Sequence, residues 1–293
     1  MPKTPILTTG LTGLVGSRIA EMLADKYEFL NMDLTTGVDI TDKDKIDKFV
    51  KAHPAQVMIH LAAYTDVNGA FAQTDDREGL CYQVNVTGTK NIAEVCQEND
   101  IYLISISTDF VFAGDKDDNY LETDPRNPIE WYGQTKAWAE AEIEKILDNY
   151  AIARIGYPFR AEFAAKPDAV AKIKQGLKTG QLYPQFSDMF ITPTYIDDVA
   201  RAVDLMIKKK PQGIFHLHGS TSLSPFELAK KVATAFGFDP KSVKEGSLEE
   251  YLKTTDRPYQ KSLRMSNKKA QVELGIKLMD IDEALADIKQ QLS

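Results

Sequence analysis

Cysteine is scarce, with two in 293 residues, Cys81 and Cys96. They can build neither a disulfide framework nor a metal-ligand spacing. Both are expected as small buried side chains in a reducing compartment. Basic tracts are nearly absent, and the net charge is −8. The single basic run, Lys208-Lys209-Lys210, is expected at a helix end, where it suits the dipole. Nucleic acid and anionic membrane are therefore not expected partners. No apolar stretch reaches the ~18 residues of a membrane span, and the opening residues carry no signal-peptide pattern. The expected location is the cytoplasm. Repeats and low-complexity segments are also missing. What remains has the composition of an ordinary globular protein, long enough for one large domain or two unequal ones.

Strands and helices alternate through the first half. Pro5 to Thr9 reads as a strand that runs into Gly10-Leu-Thr-Gly13-Leu-Val-Gly16 and then an amphipathic helix through Leu23. Glycines at such a turn let backbone approach a phosphate, and the helix N-terminus offers N–H groups and a positive dipole end. The GxxGxxG spacing alone is weak evidence, equally satisfied by a tight turn. Context strengthens it: a second strand, Tyr27 to Met32, ends at Asp33, 23 residues after Gly10. An acid there is placed for a ribose 2′-hydroxyl, although a loop-capping carboxylate is the competing reading.

Asp39-Ile40-Thr41-Asp42 opens a charged helix, with Thr41 or Asp42 as cap. Gln56 to Leu61 is the third strand, and the small residues of Ala62-Ala63-Tyr64-Thr65 leave room at its end. His60 lies inside that strand and is expected as a packed imidazole. Residues 75–99 read mostly as one long helix carrying Asn85. The apolar run from Ile101 to Ile106 reads as a buried parallel strand that delivers Ser107 and Thr108 to its carboxyl end, where ligands bind in open α/β sheets. A loop, a helix from Trp131 to Leu147 and a fifth strand, Ala151 to Ile155, follow.

Beyond Gly156 the alternation loosens. Helices are expected at 164–177, from Ile196 to Lys209 and from Ser224, which has a capping-box sequence. A strand is expected from Gly213 to His218. His216 and His218 share a face of it, but without a third ligand they make a poor metal site, so both are read as structural or surface residues and no metal is expected. The fold expected is α/β, a Rossmann-type doubly wound parallel sheet with a smaller mixed α/β C-terminal domain. Residues 1–156 form the nucleotide-binding part, to which some of 187–212 returns, and 157–293 mainly the substrate side.

Tyr132 and Lys136 are four apart and share a helix face. They lie 24 and 28 residues past Thr108, so a hydroxyl, a phenol and an ammonium are expected to meet at one point. The ammonium is expected to lower the pKa of the phenol from its ordinary ~10, readying it to exchange a proton with a substrate oxygen. The Thr108 hydroxyl would bond that oxygen.

Five stretches together carry a family resemblance. They are Gly10/Gly13/Gly16, Ala62-Ala63-Tyr64-Thr65, Val84-Asn85-Val86-Thr87-Gly88, Ser107-Thr108-Asp109-Phe110-Val111-Phe112 and Tyr132-Gly133-Gln134-Thr135-Lys136. Weaker matches lie at Thr192-Pro193-Thr194 and Arg257-Pro258. The chain resembles the extended short-chain dehydrogenases/reductases, more narrowly the dTDP-4-dehydrorhamnose reductase family. The resemblance implies NAD(P)H-dependent reduction of a 4-keto-6-deoxy sugar nucleotide, dTDP-4-dehydrorhamnose to dTDP-rhamnose, with Thr108, Tyr132 and Lys136 catalytic. It implies cofactor contacts at Gly10, Thr12, Gly13, Leu14, Val15, Gly16, Asp33, Asp39, Ile40, Leu61, Ala62, Ala63, Tyr64, Asn85, Tyr132 and Lys136. It implies substrate contacts at Thr108, Asp109, Tyr132, Tyr157 and Arg257, and a homodimer as the candidate assembly. Related dehydratases carry an acid pair after the Thr, whereas Phe110 stands here. Tyr157 and Asp188-Met189-Phe190-Ile191 depart from the family pattern on the substrate side. Two alternatives remain: an epimerase or dehydratase with tightly held NAD, and a non-catalytic NADP-binding subunit. Asp33, followed by the neutral Leu34-Thr35-Thr36-Gly37, points to NADH as the preferred cofactor, with Arg18 the residue within reach of a 2′-phosphate if it swings toward one.

Overall fold

A computed structural model describes residues 2–293. Six parallel strands form the central sheet: β1 (Thr4–Thr9), β2 (Tyr27–Met32), β3 (Val57–His60), β4 (Tyr102–Thr108), β5 (Tyr150–Ile155) and β6 (Gly213–His216). Their spatial order is β2-β1-β3-β4-β5-β6. The order reverses at β1, so a crevice opens at the carboxyl ends of β1 and β3, where doubly wound sheets bind ligands. Ile6, Leu7, Met58, Ile59, Leu103 and Ile104 are fully buried. Both sheet faces are covered, which explains why these strands read as continuous apolar runs rather than alternating ones.

One face carries α1 (Leu14–Leu23) and α5 (Ile196–Lys209), whose Val199, Val203 and Met206 pack on Ile6 and Ile19. The other carries α2 (Lys43–Ala52), α3 (Thr89–Glu98) and α4 (Trp131–Ile146). Residues 270–278 join the first face, so the C-terminal half supplies α5, β6 and this segment to the sheet. A separate apolar cluster is built from Phe159, Ile173, Tyr195, α6 (Pro225–Ala235) and α7 (Ile281–Gln291). Ser224 caps α6 with a reciprocal Glu227 bond and Pro225 in the first turn, as its sequence predicts.

Three local expectations need correction. The helix expected over 75–99 does not begin at Asp75, which has φ +65°. Helical structure starts at Leu80, and residues 83–88 form a wider π-turn leading into α3. The helix expected from 164 starts at Ala169, because Asp168 caps it through the Ala171 N–H. Third, the strand expected from Gly213 to His218 ends at His216, and both histidines are fully buried, which agrees with their structural reading. The backbone N–H of His216 donates to Glu122, so a loop covers this sheet edge.

α4 is held on the sheet by charge. Glu140 is buried and accepts from Arg154 through Nε at 2.9 Å and Nη2 at 2.6 Å. Ser107 donates to it at 2.6 Å and Arg126 at 3.2 Å. Burial works to raise the Glu140 pKa, but Arg154, Ser107 and Arg126 outweigh it and hold the carboxyl below its ordinary range. Removing one partner of such a pair strands the other in a low-dielectric interior. Glu140→Ala is expected to cost roughly 3–5 kcal/mol in urea unfolding. The contribution is present above the ordinary carboxylate pKa and is lost as pH falls through the depressed folded value. Equal stability of variant and wild type at pH 7 would remove this role.

Candidate active site

The glycine turn sits at the crevice. Gly10 has φ +65°, and a Cβ there would lie 2.6 Å from the Ala62 nitrogen. A Cβ on Gly16 would lie 2.7 Å from the Gly10 carbonyl oxygen, so only glycine allows this helix–turn approach. Gly13 caps α1 with no side-chain bond, leaving the first N–H groups of the helix free for an anion. Thr12 and Gly13 are exposed, and Leu14 and Val15 are half-buried. The neighbouring strand ends are locked by Thr9. Its hydroxyl accepts from the Leu61 and Ala62 N–H groups and meets His60 Nδ1 at 2.7 Å. His60 reaches Thr89 with its other nitrogen. Burial, and then the Lys136 charge, push the His60 pKa down to about 3, so it is a neutral packed ring, as expected.

Asp33 takes the capping role that competed with the ribose reading in the sequence. One carboxylate oxygen accepts from the N–H groups of Thr35 and Thr36 and from the Thr35 hydroxyl; the other accepts from the Asn31 amide. Burial favours a raised pKa, but these bonds, Thr35 foremost, hold it below the ordinary carboxylate range. The carboxylate therefore caps the turn after β2 while lying beside the crevice. Arg18 is not free to swing toward a phosphate: it forms a two-pronged pair with Asp197 and also bonds Gln291. Asp39 accepts from the Thr41 N–H and hydroxyl, and Ile40 is buried.

The π-turn places Asn85. Its oxygen accepts from the Tyr64 N–H at 2.8 Å, and its amide donates to Thr135 at 3.0 Å and to the Tyr64 carbonyl at 3.3 Å. Asn85 thus ties the loop after β3 to the first turns of α4, with Ala63 and Tyr64 half-buried between them.

α4 begins beside the end of β4. The Glu130 carboxylate caps it, accepting from the Gly133 N–H at 2.7 Å and the Tyr132 N–H at 3.2 Å. Gly133 has no side chain to spare, since a Cβ would collide with the Phe110 carbonyl. Neither role was read from the sequence; glutamate is an unusual cap, although Glu130 lies three residues before Gly133 at a helix start. The consequence is that the Tyr132 phenol lies near the Thr108 hydroxyl, while Phe110 lies edge-on to the Tyr132 ring at 5.9 Å. Lys136 is buried and donates to the Ile106 carbonyl at 2.9 Å. Hydroxyl and phenol are thus neighbours, and the ammonium is held one helical turn further on, at the β4 backbone. Ser107 points to the opposite face and belongs to Glu140.

The electrostatics differ from expectation. Burial raises the Tyr132 pKa; the Thr108 hydroxyl opposes this, while Glu130, Asp109 and Cys81 reinforce it. The phenol is therefore held protonated, the form that can give a proton. Burial lowers Lys136 to about 8, against the attraction of Glu140 and Cys81. On the substrate side, Tyr157 adopts φ +46° and lies near Asp109, Arg257 and Tyr259. Arg257 stacks over Tyr259 at 4.1 Å and donates to Asn68 at 2.7 Å, spanning from the C-terminal half to the helix at Val67–Phe71. Asp109 is turned inward and buried against Gly156 and His218 rather than facing an open pocket.

A buried ammonium destabilises the fold wherever it is charged. Because its folded pKa is depressed to about 8, that cost is present below pH 8 and relieved between there and the ordinary ~10.4. Lys136→Met is expected to stabilise the protein by roughly 1–3 kcal/mol at pH 7, with the gain shrinking above pH 8. Thermal unfolding across pH 6–10 checks it; a variant less stable at pH 7 would refute a net cost of the buried charge.

Comparison with known proteins agrees with this geometry. The RmlD substrate binding domain family matches residues 4–293. A dTDP-4-dehydrorhamnose reductase of Mycolicibacterium smegmatis is 30% identical over 284 residues, covering 96% of this chain and 84% of that protein. A probable low-salt glycan biosynthesis reductase of Haloferax volcanii is 26% identical, covering 97% of each chain. Among solved structures, dTDP-4-dehydrorhamnose reductase from Bacillus anthracis in complex with NADP superposes with a TM-score of 0.90 at 25% identity, over 99% of this chain and 100% of that one. Sequence, sheet order and the convergence at β4 and α4 lead to one conclusion: this chain belongs to the RmlD substrate binding domain family.

Proposed function

We propose that this protein is an NAD(P)H-dependent reductase of a 4-keto-6-deoxy sugar nucleotide, with dTDP-4-dehydrorhamnose as the substrate and dTDP-rhamnose as the product. The observation that supports it is a protonated Tyr132 near Thr108, with Lys136 buried one helical turn on, in a fold whose glycine turn leaves helix N–H groups free. The residues fit a dinucleotide: the turn admits no side chain at Gly10 or Gly16, and α1 presents uncapped donors for a diphosphate. Bound there, a reduced nicotinamide supplies hydride to the carbonyl carbon. Thr108 and Tyr132 bond the keto oxygen, and Tyr132 gives it a proton as charge develops. Lys136 then steadies the phenolate left behind and holds the nicotinamide ribose. Ala62, Ala63, Tyr64 and Asn85 shape the crevice beyond β3, and Tyr157 and Arg257 face the sugar nucleotide.

Phe110 favours simple reduction over dehydration, because its ring offers no second acid beside Tyr132. Two buried free thiols fit a reducing, cytoplasmic location, and no helix among the described residues is long and apolar enough to cross a membrane. Asp33 supports NADH over NADPH: a 2′-phosphate would meet an ionised carboxylate, with Arg18 already bound to Asp197.

In an assay with dTDP-4-keto-6-deoxy sugars, net NAD(P)H consumption is expected. Tyr132→Phe should lower kcat by roughly 10²–10⁴-fold while cofactor affinity holds, since only the proton donor is lost. Turnover without net cofactor consumption would favour an epimerase or dehydratase; binding without turnover would favour a regulatory subunit. Asp33→Ser should shift the NADH/NADPH ratio of kcat/KM toward NADPH. A wild type strongly favouring NADPH, or a ratio that does not move, would overturn the cofactor preference.

A further inference from the structure

His218 and Asp109 lie behind the proposed catalytic hydroxyl, and the structure leaves both underused. His218 is fully buried and Asp109 is 1% exposed. Neither ring nitrogen of His218 has a hydrogen-bond partner, and neither has Asp109 Oδ2. His218 Nε2 stands 3.7 Å from that same Oδ2. A Cβ on Gly156 would collide with the Asp109 carboxylate, so glycine is what lets the carboxylate sit there. A buried carboxylate with an unsatisfied oxygen is costly unless a proton or a cation compensates it.

The other carboxylate oxygen, Oδ1, accepts from the Thr108 hydroxyl at 3.1 Å. Thr108 Oγ1 also accepts from the Phe110 N–H at 3.3 Å. A threonine hydroxyl has one hydrogen. While an ionised Asp109 holds it, Thr108 has none to give to a keto oxygen, and an uncompensated anion lies close to where an alkoxide must form.

The surrounding charges do not compensate Asp109. Its other titratable neighbours are the phenols of Tyr132 and Tyr157. Arg154 and Lys136 are committed to Glu140 and to the Ile106 carbonyl, and Arg257 bonds Asn68 while facing Glu130 and Tyr157. His216, whose ring centre is 5.8 Å from that of His218, is kept neutral by burial and then by His218 and Arg154. Asn267 bonds only the His218 backbone carbonyl. His218 is the group placed to supply a proton.

We propose that His218 and Asp109 share one proton, and that this proton loosens the carboxylate's hold on Thr108 so that its hydrogen turns to the substrate's keto oxygen. The proton rests on His218 Nε2 or on Asp109 Oδ2, with the same net charge for the pair, and passes between them when the 3.7 Å gap closes to hydrogen-bond distance. His218 is thus a positioning residue acting through Asp109, and the second half of the proposal rests on the reductase reading above.

Two measurements test it. The chain has four histidines, so ¹⁵N-histidine NMR resolves them, with the His218 signals identified by their loss in His218→Val. In Asp109→Asn the His218 ring is expected to lose its proton at a pH lower by one unit or more than in the wild type. An unchanged titration overturns the shared proton, whether or not turnover is seen. In the keto-sugar assay, the proton-bound pair is the active form, so kcat falls as pH rises through its loss. His218→Val should move that falling limb to lower pH with KM little changed, and Asp109→Asn should remove it. If the valine variant does not fold, His218→Asn, which bonds but cannot carry the proton, serves instead. A wild-type profile in the His218 variant overturns the effect on Thr108. Coupled titration with no turnover of any keto sugar refutes the reductase reading and supports the pair.

Discussion

The Glu140–Arg154 ion pair is the constraint on which the geometry of the site depends. α4 carries both the phenol and the ammonium of the candidate site, and β4 carries the hydroxyl. Apolar contact alone would hold helix and sheet together with little preference for register. Glu140, one turn beyond Lys136, adds directed bonds to Arg154 on β5 and Ser107 on β4. Sliding the helix by one residue would break several charge-assisted bonds at once in an interior that offers no replacement. The pair thereby fixes the distance from Thr108 to Tyr132, and Glu130 and Gly133 fix the angle at which the helix begins.

The parts of the fold legible in the sequence are those decided locally. The strand–glycine–helix–strand–acid series, the cap at Ser224 and the bounds of the helix at Ile196–Lys209 follow from periodicity and short-range chemistry. Thr108 and Tyr132 could be placed near each other from the sequence because a strand end and a helix start constrain where each side chain lands. Asp33 shows where local reading stops: the same carboxylate that suits a ribose also suits the Thr35 and Thr36 N–H groups, and only coordinates show how its oxygens are divided.

What was not legible depends on partners distant in sequence. His216 and His218 were expected on one face of a strand, but nothing nearby says that both are buried, because Arg154, Asp109 and Ser266 come from three other segments. The direction of the Tyr132 shift was missed for a related reason. Spacing suggests an ammonium at the phenol, while the desolvation that raises the phenol's pKa, and the Ile106 carbonyl that takes the ammonium, are properties of the assembled interior. The break before Leu80 was hidden because Asp75 adopts a left-handed backbone that its flanking residues do not announce.

The sheet also has a consequence for synthesis. Its last strand, the helix at Ile196–Lys209 and residues 270–278 all come from the second half of the chain, yet they cover Ile6, Ile59 and Ile104. As the chain emerges from the ribosome, the first five strands can pair but leave one apolar face covered only in part, by α1, until nearly the whole polypeptide is out. Parallel strands joined by long crossovers form slowly, and exposed apolar surface during that interval favours aggregation. The core over this face is complete only when residues 270–278 arrive.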